Sequence, residues 1–247
     1  MADLINRKSR WAGAAIAAAL INAAHAEPID TNRPGFSFSP GVVGKGVWQL
    51  ETSLGYSRGD GETRTLSLPN AELRYGVGGD VELFVSGMSW FDAEAGGSST
   101  SGLGDIAIGT KIALSDMSSQ TRMALLFLVS VPTGKDGISS NSWDPALGFV
   151  WSSGGNIPLA GTAKVIERDG KLQFDNGLKL PFTINDRQSV FIEWEANFPE
   201  SGSSSHWLNS GFQWLLSDSI QVDFGVDLSL SEFGDDHRFA AGFSRRF

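Results

Sequence analysis

The chain ends on His237-Arg238-Phe239-Ala240-Ala241-Gly242-Phe243-Ser244-Arg245-Arg246-Phe247, and the reading of this stretch decides the fold. Phe239, Ala241, Phe243 and Phe247 fall on one parity, while Arg238, Ala240, Gly242, Ser244 and Arg246 fall on the other. Period-two alternation is the signature of a strand with one apolar and one wetted face.

The same parity runs back through the chain. Ile220 to Leu230 sets Ile220, Val222, Phe224, Val226, Leu228 and Leu230 against Gln221, Asp223, Gly225, Asp227 and Ser229. Val190 to Phe198, Leu172 to Phe182 and Trp48 to Ser57 repeat it. Weaker segments fall at 63–76, 81–91, 103–114, 121–131, 144–152, 157–168 and 207–216, where Pro69 predicts a bulge. Most of these lengths are near the roughly 9–11 residues of a tilted membrane-spanning strand, whereas sandwich strands average about 5–6. The count is about twelve, and the connections alternate between short turns and longer links at 92–102, 132–143, 199–206 and 231–236. The expected fold is all-β: a closed antiparallel transmembrane barrel with both termini on the periplasmic side. A final strand closing on Phe247 is what a bacterial outer-membrane barrel presents to the barrel-assembly machinery, and Arg245 on its apolar parity suits a membrane interface.

The other end fits export. Asn6 to Arg10 is basic, Trp11 to Ile21 is apolar, and Ala24-His25-Ala26 is a small-x-small cleavage site, so residues 1–26 read as a signal peptide. Residues 27–47 carry Pro28, Pro34 and Pro40 and read as a periplasmic or lumen-inserted segment, leaving 48–247 for the barrel. The formal net charge is −9, two units more negative once the leader is removed, which argues against nucleic acid as a partner. Eight Trp and 16 Phe suit aromatic girdles at the lipid interfaces. Beyond the leader there are only His206 and His237 and no cysteine, so nucleophile, metal and cofactor constellations are missing and no enzyme is expected.

If the apolar parity faces lipid, the inner face carries Glu51, Glu82, Asp105, Lys111, Asp175, Lys179, Glu193, Glu195, Asp223 and Asp227. Asn209 and Gln213 are placed to bridge the Glu193–Glu195 and Asp223–Asp227 strands. Arg33 and Lys45 could fold in as a plug against this acidic wall. Gly109, Gly148, Gly177, Gly211, Gly225 and Gly242 on the same face favour an open bore over a filled one. Phe84, Trp90 and Phe191 on that parity hint at aromatic cargo.

Asn32-Arg33-Pro34-Gly35-Phe36 with Ser39-Pro40, Gly46 to Glu51, Gly102 to Lys111, Val131-Pro132-Thr133-Gly134 and the closing Phe243 to Phe247 resemble the "MetA-pathway of phenol degradation" family. One departure is Asn32, where that family more often has Asp. The resemblance implies an outer-membrane barrel and transporter. The functional expectation is a channel for small solutes, aromatic or hydrophobic ones included, through an acidic lumen. The alternative is a plugged structural or adhesion barrel acting through its external loops.

Overall fold

The computed structural model describes residues 27–59, 63–116, 118–232 and 235–247, so the expected signal peptide lies outside it. Fourteen strands follow in order among these residues: β1 (Trp48–Gly59), β2 (Thr63–Gly78), β3 (Val81–Ser86), β4 (Trp90–Ala95), β5 (Ser98–Leu103), β6 (Ile106–Ala113) and β7 (Thr121–Val131). They continue as β8 (Asp144–Ser153), β9 (Leu159–Arg168), β10 (Lys171–Asn185), β11 (Gln188–Pro199), β12 (Ser205–Ser217), β13 (Ile220–Ser229) and β14 (Asp235–Arg246).

Every ladder between named strands is antiparallel, and β14 pairs back onto β1 from Gln49↔Arg246 to Gly59↔Asp235, which closes the sheet. β3 pairs the near half of β2 and β4 its far half, while β6 pairs β3 and β5 pairs β4. Thus β3 with β4 forms one broken stave and β5 with β6 another, and the barrel has twelve staves. The link expected at 92–102 is instead a hairpin. Gly96 and Gly97 both take positive φ, 55° and 79°, as a tight two-residue turn requires, and the Ser-rich β5 offered no apolar parity to read. The bulge at Pro69 is present: Ser53 faces Asn70 but Gly55 faces Ser67.

Burial is inverted relative to a water-soluble protein. Ile192 and Phe224 are 50% and 55% exposed, while Glu193 and Asp223 beside them are fully buried. The outer face is an apolar belt, stable only against hydrocarbon. The two ends of the sheet meet where the Phe247 N–H donates to the Trp48 carbonyl at 2.8 Å. We call this the terminal end, and the opposite one the far end.

Trp90 corrects the sequence reading. It is 49% exposed on the outer belt, because the break at 87–89 between β3 and β4 reverses the parity. Phe91 and Ala93 therefore turn inward in place of Trp90. Gly87 takes a φ of +85° there. Phe84 packs inside with Ala124, Leu126 and Val150.

Candidate functional site: an occupied bore

Residues 29–43 run through the barrel. Their partners lie on β1, β2, β3, β6, β9, β10, β11, β12 and β13, which only a segment inside the wall can reach. The segment enters at the terminal end, where the Ile29 N–H donates to the Asp218 carbonyl, and returns there with Lys45 bridging Gly76. Its tip is Pro34-Gly35-Phe36. Residues 29–43 carry Pro34 and Pro40 and form no ladder with the wall, so their backbone groups need other partners.

Strand carboxylates supply them. Glu193 accepts the Phe36 and Ser37 N–H groups, one on each oxygen, both at 2.8 Å. Glu51 accepts the Asn32 N–H at 2.9 Å, and Glu82 the Val43 N–H at 2.8 Å. Cations hold the carbonyls: Lys111 donates to Ser39 O at 2.8 Å, and Lys179 to Ser37 O at 3.2 Å. Arg74 does both jobs. It grips both Glu82 oxygens and one of Glu51, and also donates to the carbonyls of Asp30 and Gly41. All five guanidinium N–H groups are thereby used. Buried ion pairs add little net stability, since desolvation offsets their attraction. Here they set where the segment sits.

The tip rests where the wall lacks side chains. A Cβ at Gly177 would fall 2.5 Å from Ser37 Oγ and 2.6 Å from Phe36 Cδ1, and one at Gly211 would fall 2.8 Å from Pro34 Cγ. One at Gly242 would lie 2.7 Å from Arg33 Nε. The room at Gly177 is therefore filled by the segment, and at Gly211 and Gly242 the segment shares it with the wall side chains Phe191 and Asp223. Gly35 takes a φ of +104°, and a side chain there would strike Glu193 and Phe191.

One further expected pair, Arg33 with Asp223 at 3.3 Å, holds the segment, and the remaining expected residues sit apart from it. Lys45 is exposed at the terminal end, and its stem runs over Gly78. Among the described residues no carboxylate is within ion-pair distance of it. Asp175 faces Lys164 at 3.5 Å and Asn197 at 2.9 Å. Glu195 and Asp227 share Arg238, each at 2.9 Å, and Arg238 stacks over Trp207 at 3.8 Å. Asn209 reaches Glu195, whereas Gln213 turns to the Arg33 carbonyl, so Arg238 is the bridge the sequence reading did not name. Asp105 lines one of the far-end cavities and pins loop 132–143 through the N–H groups of Gly134 and Ser140. Burial pushes its carboxyl up, but these bonds and others from Ser139 and Ser140 outweigh that and hold it below its ordinary value.

Arg74 and Glu72 were missed as well. Both follow the bulge, where Leu73 and Tyr75 resume the outward parity. Alternation counted from Asn70 rather than from Thr63 would have found them.

Cavities flank the segment: one of about 660 Å³ at the terminal end, and adjoining ones of about 460, 400 and 480 Å³ beyond the tip.

The family described as "Putative MetA-pathway of phenol degradation" matches residues 31–247, from the plug to the last strand. The chain belongs to this family. A comparison with curated proteins returns no match. Among solved structures, the COG4313 outer membrane channel from Pseudomonas putida F1 is similar at a TM-score of 0.67 and 13% identity, over 87% of this chain and 99% of that one. The NanC porin is similar at 0.57 and 8% identity, over 79% and 98%. The KdgM porin follows at 0.51 and 12%, over 80% and 99%. At these identities the likeness is one of fold.

Proposed function

We propose that this family member is an outer-membrane channel for small solutes, exported by a cleaved signal peptide and gated by residues 29–43. The observation that carries the reading is how the bore is filled. A buried core would fill it with interlocked apolar side chains, whereas here one segment is tethered mainly by hydrogen bonds to strand side chains. Such a plug can leave without unravelling the wall, and the cavities on either side would then join. Placing the termini in the periplasm puts the longer links outside, and assembly runs through the C-terminal strand. Aromatic or hydrophobic cargo is supported by Phe36 and Phe91 on the route beyond the tip. Acidic character is supported by Glu195 and Asp227, which outnumber the single Arg238 between them.

Conductance in planar bilayers tests this. The whole chain should conduct poorly, and a form lacking residues 27–47 should open steadily. Silence from both overturns the channel. The filled bore is also what a closed barrel acting through its external loops would show, and the same silence would favour that reading.

A further inference from the structure

The far-end cavities are one chamber in all but their partition. Phe91 lines all three, and Phe36 at the plug tip lines two of them. Phe91 lies flat on the wall because Gly104 has no side chain: a Cβ there would be 2.5 Å from Phe91 Cε2. The chamber thus has an aromatic wall and an aromatic floor, and the floor belongs to the movable segment.

Its charged side chains are in acidic excess: Glu195, Asp227 and Asp235 face Arg238 and Arg33, and Arg33 is already paired with Asp223. Glu195 and Asp227 carry two negative charges against the one positive charge of Arg238. Asn209, 1% exposed and lining the same space, spends its amide N–H on Glu195 and leaves Oδ1 without a partner. Lys164, whose ammonium lies 5.2 Å from the centre of the Phe36 ring, is paired with Asp175. On that side Lys164 and Arg168 are matched by Asp105 and Asp144. Excess negative charge and an unfilled acceptor therefore face one pair of rings.

We infer that this chamber is a binding site for an aromatic solute bearing a donor group, an arylalkyl ammonium above all, with its ring between Phe36 and Phe91 and its ammonium toward Asn209, Glu195 and Asp227. The ring faces also favour a cation over an anion. This rests on the channel reading for its place on a route, but binding is measurable on folded protein whether or not it conducts.

The test is calorimetry on protein refolded in a neutral detergent, with detergent alone as blank and three probes of similar size: 2-phenylethylammonium, 2-phenylethanol and 3-phenylpropionate. The ammonium should bind best and the carboxylate worst, with a spread of about tenfold or more from the charge and ring terms together. Phe91→Leu should weaken the ammonium and the alcohol several-fold. Phe36→Leu reads the same ring pair from the plug, where the wall ladders are untouched. Carboxylate binding as tight as ammonium binding, or no change in either Leu variant, overturns the inference. Binding as expected without conductance in bilayers would instead refute the channel and leave the site standing.

Discussion

Glu193→Ala should unseat the plug. The Glu193 carboxylate holds the Phe36 and Ser37 N–H groups at 2.8 Å each, and it lies 3.9 Å from Lys179. A hydrogen bond to a charged group is worth about 1.5–3 kcal/mol net, so two are worth about 3–6 kcal/mol. Since each 1.4 kcal/mol is tenfold, the released state should gain about 10²–10⁴ in population. The chain has no cysteine, so a single Ser37→Cys substitution reports the tip cleanly. Ser37 is 2% exposed, so a charged maleimide should modify the introduced thiol slowly when Glu193 is present. Adding Glu193→Ala should raise that rate by two orders of magnitude or more. Heat-modifiable mobility on gels shows that the barrel is closed. Equal labelling with and without Glu193, in closed barrels, would refute the carboxylate grip.

Other parts of the grip make separate demands. Asn32→Asp puts a third carboxylate beside Glu51 and Glu72 and removes the 2.6 Å donor to Glu72, so labelling of the same tip thiol should accelerate. Adding Glu72→Gln should slow it again, and no rescue would count against the charge argument. Gly177→Val meets Ser37 and Phe36 at 2.5–2.6 Å and should displace the tip at an overpacking cost of about 1–3 kcal/mol, read as conductance gained without loss of the closed barrel. Asp105 is held below its ordinary value, so it steadies loop 132–143 at neutral pH, and that support is lost as pH falls through the lowered value. Limited proteolysis of the loop should accelerate in acid in the parent, while Asp105→Asn should be cut quickly at every pH.

The staves were legible because a membrane barrel gives alternation its strongest contrast: Phe224 meets hydrocarbon while Asp223 is buried inside. Errors arose where that contrast slips by one residue. The Pro69 bulge hid Arg74 and Glu72, and the break at 87–89 exchanged Trp90 for Phe91. The plug had no period to read. Its composition marks it as irregular, and its path depends on partners far away in the chain, such as Glu193 for Phe36. The inward glycines were visible, but whether their space stays empty depends on that path. In place of a bore, Gly177 and Gly211 make the seat of the tip.

An acidic inner wall is easily mistaken for a selectivity filter. Glu51, Glu82 and Glu193 meet backbone N–H groups of the plug, and Asp223 meets Arg33, so reversing them to Lys would eject the plug and change the route together with its charge. Glu195 and Asp227 differ, because their partner is Arg238 on the wall. Glu195→Gln with Asp227→Asn changes that group from one net negative charge to one net positive charge and leaves every plug contact in place. At an effective dielectric of about 20, a charge some 4 Å from a passing ion contributes on the order of 4 kcal/mol before screening, enough to set preference. In a barrel lacking residues 27–47, the reversal potential across a salt gradient should move from cation toward anion preference. An unmoved potential would mean that ions do not pass Arg238.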